Sequence, residues 1–315
     1  MKRRIIKQGN GGNTIFLPIQ WIRENNLSAG EEVEVNDMGR ELIISTNSKP
    51  QKQEITYKLL AKEEPLIRVI LNNLYRLGYD KIILLIADKQ QEKIIQNVVE
   101  HFLLGFDVIS ISHSKIIIES ITEPSGEKQQ TILRRMFLTT QESLEMLQQD
   151  LVQESYANLR KIEKLTQRFG QYDNFCRRNI SKRRFIEQKS HFYWSLYTYL
   201  LLIQHAILHL YEELSKNQKF KLDNENETLI NLIEYYKRLS SSFFKEDSLG
   251  VQEVNTFCTL KLTEIKRKIF SSKGMMSLFF YYCGEIFRLL YLVTAPIQGI
   301  LLQTTNNEER IAKQG

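Results

Sequence analysis

The pattern of apolar and polar positions predicts short strands at the start of the chain. Residues 3–8 and 13–17 are rich in β-forming side chains, and they flank the turn Gly9-Asn10-Gly11-Gly12. Glycine tolerates positive φ and asparagine is the next most tolerant residue, so this arrangement is typical of a β-hairpin. A second pair of strands is predicted over 31–35 and 41–45.

A short helix is predicted between these two strand pairs, with Pro18 in its first turn and Gly30 beyond its end. The resulting ββαββ segment, residues 1–47, is too small to bury its own apolar side chains and contains no cysteine. We therefore expect two chains to complete one core together, as a homodimer or a higher even oligomer. The expected dimer core consists of Ile5, Ile15, Leu17, Trp21 and Ile22.

Residues 55–125 are predicted to form a small α/β sheet domain, which follows a polar linker at 48–54. The element order β-α-β-α-β-β should place its helices on one face of the sheet. The predicted strands are 55–60, 81–87, 106–112 and 115–122, and the predicted helices are 66–77 and 89–104. Glycine loops of the phosphate-binding types are absent, so a structural or ligand-sensing role is expected for this part.

Helical periodicity dominates residues 126–305. Six helices are expected in two sets of three, within 126–220 and 223–305. Apolar stripes predict them over 133–151, 159–176, 192–214, 227–244, 250–270 and 275–302. A polar tail, 306–315, follows. The predicted fold class is therefore multi-domain α+β, with a small dimeric β-rich head, a small α/β sheet domain and an all-α bundle.

Composition is ordinary for a folded protein, since 42% of the 315 residues are hydrophobic and 25% are charged. The formal net charge of +6 permits an anionic partner. The three cysteines are far apart and form no C-x-x-C pair, which favours a reducing, cytoplasmic location and argues against a zinc finger. The charged N-terminus predicts no signal peptide.

One segment, 275–302, approaches the composition of a membrane span. Glu285 and Arg288 interrupt it, and Pro296 and Gly299 follow. A buried bundle helix is therefore predicted here, and the chain is not expected to be an integral membrane protein.

The first 47 residues resemble the swapped-hairpin domain of AbrB, MazE and SpoVT through their succession LP, helix, G, EVEV and ELIIS. In that family two chains interleave into one DNA-binding barrel, so the resemblance implies DNA as a partner. The implied DNA-binding residues are Lys2, Arg3, Arg4, Lys7, Asn10, Asn13 and Arg23. Lysine and arginine bind phosphates by counterion release, and asparagine reads base edges. The alternative is a solvated basic edge that prevents aggregation of strands.

The order of the whole chain resembles archaeal PhoU-type phosphate-uptake regulators that carry an AbrB-like domain in front. The supporting stretches are LYRLGYD at 74–80, LGFDV at 104–108 and YDNFCRR at 172–178. The resemblance implies a transcriptional regulator of phosphate uptake or homeostasis. Its helical half would be a sensor, or would contact a phosphate transporter or a signalling protein.

The metal-binding pattern of PhoU repeats, E/D-x-x-x-D, is incomplete in this chain. Phe169 precedes Asp173 by four residues, and Phe257 follows Glu253 at the same spacing. Hard cations need several oxygen ligands, so retention of that metal cluster is in doubt. No other cofactor is expected.

A second candidate metal site combines His205, His209 and Glu212 at spacings i, i+4 and i+7. The same helix face carries Trp194, Leu201 and Leu208, so a buried or partner-facing stripe is the favoured interpretation.

Five cations fall within eight residues at Arg177, Arg178, Lys182, Arg183 and Arg184. The ordinary interpretation of such a run is a solvated helix face. A second contact with DNA or with membrane headgroups is the alternative.

Catalysis is not expected, because motifs such as G-x-S-x-G and H-E-x-x-H are absent and only five histidines occur. Two other functions remain as alternatives to the regulator. One is an interaction protein that docks on a membrane phosphate transporter without binding DNA. The other is neutralisation of a toxin by the N-terminal segment, which the large helical half fits poorly.

Overall fold

The computed structural model describes residues 2–9, 11–37, 39, 42–46, 52–122, 128–182, 189–217, 220–222 and 226–312. It is a mixed α+β protein, 65% helical, with small sheets and a C-terminal helical region, so the predicted class is confirmed at this level. The chain forms two compact units, Met1–Lys52 and Gln53–Gly315. These are called the N-terminal unit and the second unit below.

The N-terminal unit contains two separate antiparallel strand pairs. Strand β1 (Ile6–Gln8) pairs with β2 (Gly12–Thr14), and β3 (Glu34–Asp37) pairs with β4 (Leu42–Ser45). Helix α1 (Ile19–Glu24) lies between them in sequence. Strands β1 and β2 are shorter than predicted, since residues 3–5 and 15–17 lie outside them, and β3 begins at Glu34 and not at residue 31. No barrel closes within one chain, and the two-chain barrel stays a prediction.

No described residue of the N-terminal unit between 2 and 46 is buried. Ile5, Ile15, Phe16, Ile19 and Val35 are each 51–74% exposed. A large apolar side chain contributes about 1.5–3 kcal/mol when it is fully buried, so a single chain leaves most of this stabilisation unused.

The second unit begins with a four-stranded sheet in the order β5-β6-β8-β7. These strands are Glu54–Lys58 (β5), Lys81–Leu85 (β6), Phe106–Ser112 (β7) and Lys115–Ser120 (β8). Strand β5 is parallel to β6, and the other two pairs are antiparallel. The predicted element order is confirmed.

Helices α2 (Glu64–Arg76) and α3 (Lys89–Phe102) cover one face of this sheet, as predicted. Helix α2 places Ile67 and Leu71 against Ile82 and Ile118 of the sheet, in one buried core. Pro65 suits the first turn of α2, and Gly78 at φ +96° lets the chain turn away after it.

Six helices follow in the described part of the chain, and the prediction of six is confirmed. They are α4 (Lys128–Val152), α5 (Leu159–Ser181), α6 (Ser190–Lys216), α7 (Asn226–Phe244), α8 (Ser248–Ser271) and α9 (Met275–Ala312). Each consecutive set of three packs together, and the sets meet where α6 contacts α9 and α4 contacts α7. One continuous hydrophobic core runs through both sets.

Helix α9 extends beyond Leu302 to Ala312, through part of the segment expected to be a polar tail. Its stretch Met275–Leu302, with a mean hydropathy of 1.4, is long and apolar enough to cross a membrane by length and composition. Of the 18-residue window that meets this criterion, 56% is buried inside the protein. Gly299 of α9 lies directly against the ring of Phe192 on α6, so this stretch packs closely within the bundle.

Gly105, between α3 and β7, should tolerate no side chain. A Cβ there would lie 2.0 Å from the carbonyl oxygen of Thr122, and the residue has φ +81°. We expect Gly105→Ala to lower the free energy of unfolding by about 3 kcal/mol, from left-handed backbone strain and overpacking together. Urea denaturation followed by circular dichroism measures the change.

The matched control for this substitution is Gly274→Ala. Gly274 also has positive φ, but a Cβ there would meet nothing within 4 Å. It should cost only the backbone strain, about 1 kcal/mol. Equal losses for the two variants would contradict the close approach of Thr122 to Gly105.

Candidate nucleic-acid interface and a buried ion cluster

The predicted DNA-binding cations are exposed on and just before the first hairpin. Lys2, Arg3 and Arg4 precede β1, and Lys7 lies within it. Asn13 of β2 is directly opposite Lys7, so the structure places this amide and this ammonium on adjacent positions of one hairpin. All of these side chains are exposed in the single chain.

The remaining predicted DNA-binding residues fall elsewhere. Arg23 is exposed on α1, outside the hairpin. Asn10 lies outside the described residues.

The expected dimer core is incompletely covered in one chain. Ile5 and Ile15 are exposed, whereas Leu17, Trp21 and Ile22 are half-buried. The five side chains therefore form an apolar set that is available to a partner.

The candidate metal residues are only partly brought together. His209 Nδ1 lies 3.2 Å from Glu212 Oε2, and the rings of His205 and His209 are 6.1 Å apart. Both histidines are exposed on α6, which excludes a fully buried stripe. Within the residues that the structure describes, no group of three or more His, Cys, Asp or Glu side chains is arranged to hold a metal ion.

Asp173 is fully buried on α5, and two arginines bind it. Arg177 Nε lies 2.9 Å from both carboxylate oxygens, and Arg76 Nη2 of α2 lies 2.9 Å from Oδ2. Arg177 also donates to Thr198 Oγ1 and lies 4.6 Å from the centre of the Trp194 ring. Because guanidinium groups occupy the carboxylate, Asp173 is not available as a metal ligand.

Arg178 extends from α5 into the layer formed by the sheet and its helices, where it is buried. It donates to the carbonyl oxygens of Tyr75 and Tyr79 at 2.9 and 2.8 Å and to Asp80 Oδ1 at 2.7 Å. Its guanidinium also lies 5.0 Å from the centre of the Tyr75 ring and 4.8 Å from that of Phe106. This one side chain therefore contacts the end of α2, the following turn and strand β7.

The interpretation of the cation run as a solvated helix face is wrong for Arg177 and Arg178. Both are buried because α5 packs this face against α2, and Lys182 pairs with Asp80 on the same side. Arg183 and Arg184 lie outside the described residues. We call two neighbouring sets together the buried ion cluster; Arg76, Asp173 and Arg177 form one set, and Asp80, Arg178 and Lys182 form the other.

Comparisons with known proteins give no assignment. No family model, no curated protein and no solved structure matches the chain. The resemblances drawn from the sequence therefore stay predictions.

Arg178→Met should destabilise the second unit strongly. The substitution removes the guanidinium that pairs with Asp80 and donates hydrogen bonds to two buried carbonyl oxygens. Breaking a buried ion pair by removing one partner costs about 3–5 kcal/mol. Urea denaturation followed by circular dichroism measures the loss. Arg168→Met is the control, because Arg168 is exposed on the same helix and should change stability by less than about 0.5 kcal/mol. Similar effects of the two substitutions would show that the cluster is not needed for stability.

Proposed function

We propose that the protein is a DNA-binding transcriptional regulator that dimerises through its N-terminal unit and binds DNA there. One observation carries the proposal. The N-terminal unit exposes a basic hairpin together with an apolar set that a single chain does not cover. Regulation of phosphate uptake or phosphate homeostasis is the further expectation, and it depends on the resemblance in sequence order alone.

Dimerisation is supported by the absence of buried side chains among the described residues 2–46. Units of this size rarely fold alone without a disulfide, a metal or a partner chain, and the sequence has no cysteine here. A second copy would cover Ile5 and Ile15 and complete the burial of Trp21.

DNA binding is supported by the charge and position of the first hairpin. Two chains would contribute eight cations from Lys2, Arg3, Arg4 and Lys7. If each neutralised one phosphate, the logarithm of the binding constant would fall with the logarithm of salt concentration with a slope near −7. Asn13, next to Lys7, has the amide chemistry that recognises adenine in the major groove.

The second unit would then act as the sensor or interaction module. In this proposal the second unit senses phosphate status directly, or does so by contacting a transporter or a signalling partner. The support is the order of the elements: two sets of three helices follow an α/β sheet, as the resemblance implies.

One observation favours a second candidate function, docking on a membrane phosphate transporter without DNA binding. Helix α9 carries an apolar stretch of span length, and Tyr281, Tyr291 and Leu302 within it are exposed. Co-sedimentation with membranes that resists high salt, together with absence of DNA binding, would favour this candidate over the regulator.

Lys7→Gln should weaken DNA binding equally for all sequences. In the dimer it removes two phosphate contacts, so the magnitude of the salt slope should fall by about 2. Fluorescence anisotropy on DNA from upstream of the protein's own reading frame, at several salt concentrations, measures both quantities.

Three controls accompany the Lys7→Gln measurement. Lys221→Gln removes an exposed cation of the second unit and should leave the slope unchanged. A chain lacking residues 1–47 should not bind, and a scrambled duplex separates sequence-selective binding from phosphate attraction. An equal effect of Lys221→Gln, or full binding by the shortened chain, would contradict the proposed interface.

Trp21→Ala should shift the protein from dimer to monomer and weaken DNA binding with it. The indole is half-buried in one chain, and we expect the partner to cover the rest. Loss of a large aromatic side chain from such a core costs about 3–5 kcal/mol. Sedimentation equilibrium over a range of protein concentrations measures the dissociation constant.

Phe270→Ala is the matched control, because Phe270 is an exposed aromatic residue of the second unit. It should leave the dissociation constant unchanged. A Trp21→Ala protein that stays a stable dimer with unchanged DNA affinity would overturn the dimer interface.

A further inference from the structure

A cleft of about 450 Å³ lies within the second unit, between the helices on the sheet and the bundle. Helices α2 and α3 form one side, and α5 and α6 form the other. Its volume is within the range of small-molecule sites, about 300–1,000 Å³. Phe102, Leu201 and Leu208 provide an apolar part of the wall.

Another part of the wall is a polar edge of α2. Glu64, Arg68, Asn72 and Arg76 recur every four residues, which places them on one side of the helix. All four line the cleft. The apolar side of α2 is buried against the sheet, so the polar edge faces α5 and α6 across the cleft.

Several hydrogen-bond donors on this edge remain unused by the described residues. Arg76 uses Nε for Asn174 Oδ1 at 2.7 Å and Nη2 for Asp173, which leaves Nη1 without a described protein acceptor. Asn72 accepts from Asn174 Nδ2 at 3.0 Å through its oxygen, and its own NH₂ group has no described acceptor. Arg68 Nε lies 3.5 Å from Glu64 Oε1, an ion-pair distance without a described hydrogen bond, and its guanidinium lies 5.3 Å from the centre of the Phe102 ring.

Over the whole lining of the cleft the charges balance, with Glu64 and Glu163 against Arg68 and Arg76, but at the Arg76 end positive charge exceeds negative charge. Arg76 and Arg177 share the single carboxylate of Asp173. Burial lowers the pKa of Arg76, and the nearby Arg177 lowers it further, against the opposing effect of Asp173. Arg76 is half-buried and shares its counter-charge with Arg177, so an anion next to Arg76 would stabilise this arrangement.

The acidic residues of the cleft lie at its other end. Helices α2 and α5 run in the same direction here, because Asn72 contacts Asn174 while the later Tyr79 contacts the later Arg178. Glu64, three turns before Arg76 on α2, and Glu163, three turns before Asn174 on α5, are therefore at the far end of the cleft. A ligand with one anionic group would place it at the Asn72 and Arg76 end and its uncharged part elsewhere.

We propose that this cleft binds a small organic oxyanion. Its phosphate or carboxylate group accepts hydrogen bonds from Arg68, Asn72 and Arg76, and its uncharged body packs against Phe102, Leu201 and Leu208. This site belongs to the second unit alone, so its binding is measured separately from DNA binding, and either can fail without the other.

Titration calorimetry on the full chain tests the site with three probes that share one ring: phenyl phosphate, benzoate and benzyl alcohol. Charge-assisted hydrogen bonds should make at least one anion bind about tenfold to a hundredfold more tightly than the alcohol. The tighter anion identifies the head group as phosphate or carboxylate. Failure of both anions to bind, or equal binding of anions and alcohol, would overturn the proposal.

Two variants locate the binding in the cleft. Arg68→Gln should weaken anion binding about tenfold or more and leave the alcohol unaffected. Gly170→Leu should weaken all three probes, because its side chain would project beside Phe102 into the cleft. A Cβ at Gly170 meets that ring only at 3.7 Å, an ordinary contact, and leucine favours a helix, so this variant should fold.

Arg238→Gln is the matched control. Arg238 is 44% exposed and ion-paired on α7, whereas Arg68 is 40% exposed and ion-paired on α2. The control should bind every probe as the unaltered protein does. If it weakened anion binding as much as Arg68→Gln, the anion would be responding to overall charge, and the assignment to the cleft would be wrong.

Discussion

The structure of the second unit depends on the burial of charged groups between its sheet layer and its bundle. Taking arginine and aspartate side chains out of water costs several kcal/mol for each ion, and only close pairing with further hydrogen bonds offsets that cost. Arg178 satisfies this condition through Asp80 and two carbonyl oxygens. A shift of α5 by one residue would separate these partners and leave charges buried without them. The cluster therefore fixes the position of α5 against α2.

The same packing creates the cleft. Helix α2 must bury its apolar side on the sheet, so its polar edge would face solvent if the bundle were absent. Contacts of Asp173 and Asn174 with Arg76 bring α5 over that edge and enclose it. Arg76 belongs to both the ion cluster and the cleft. Its Nη2 binds Asp173 in the cluster, and the same side chain lines the cleft. A ligand bound there would act directly on the junction between the sheet and the bundle.

Periodicity was sufficient to predict the helices and the sheet, because their apolar stripes are local in sequence and long compared with the errors at their ends. It failed for Arg177 and Arg178, because the partners that bury a charge lie far away in sequence. Asp80 is 98 residues from Arg178. The stretches 74–80 and 172–178 contact each other. The signal in the sequence is that each stretch carries both arginine and aspartate, Arg76 with Asp80 and Asp173 with Arg177 and Arg178. The spacing of His205 and His209 predicted their shared face of α6 but not its exposure.

The two units satisfy the same physical requirement in different ways. The second unit buries a continuous core and can place six ionised side chains at an internal junction, because the surrounding packing holds their partners in position. No described residue of the N-terminal unit is fully buried, so its apolar side chains would gain most of their stabilisation from another surface. If that surface is a second copy, folding of this unit and pairing of its two basic hairpins are a single equilibrium that depends on protein concentration. In the proposed regulator, the cations would then meet DNA as a pair of hairpins only when the core between them has formed.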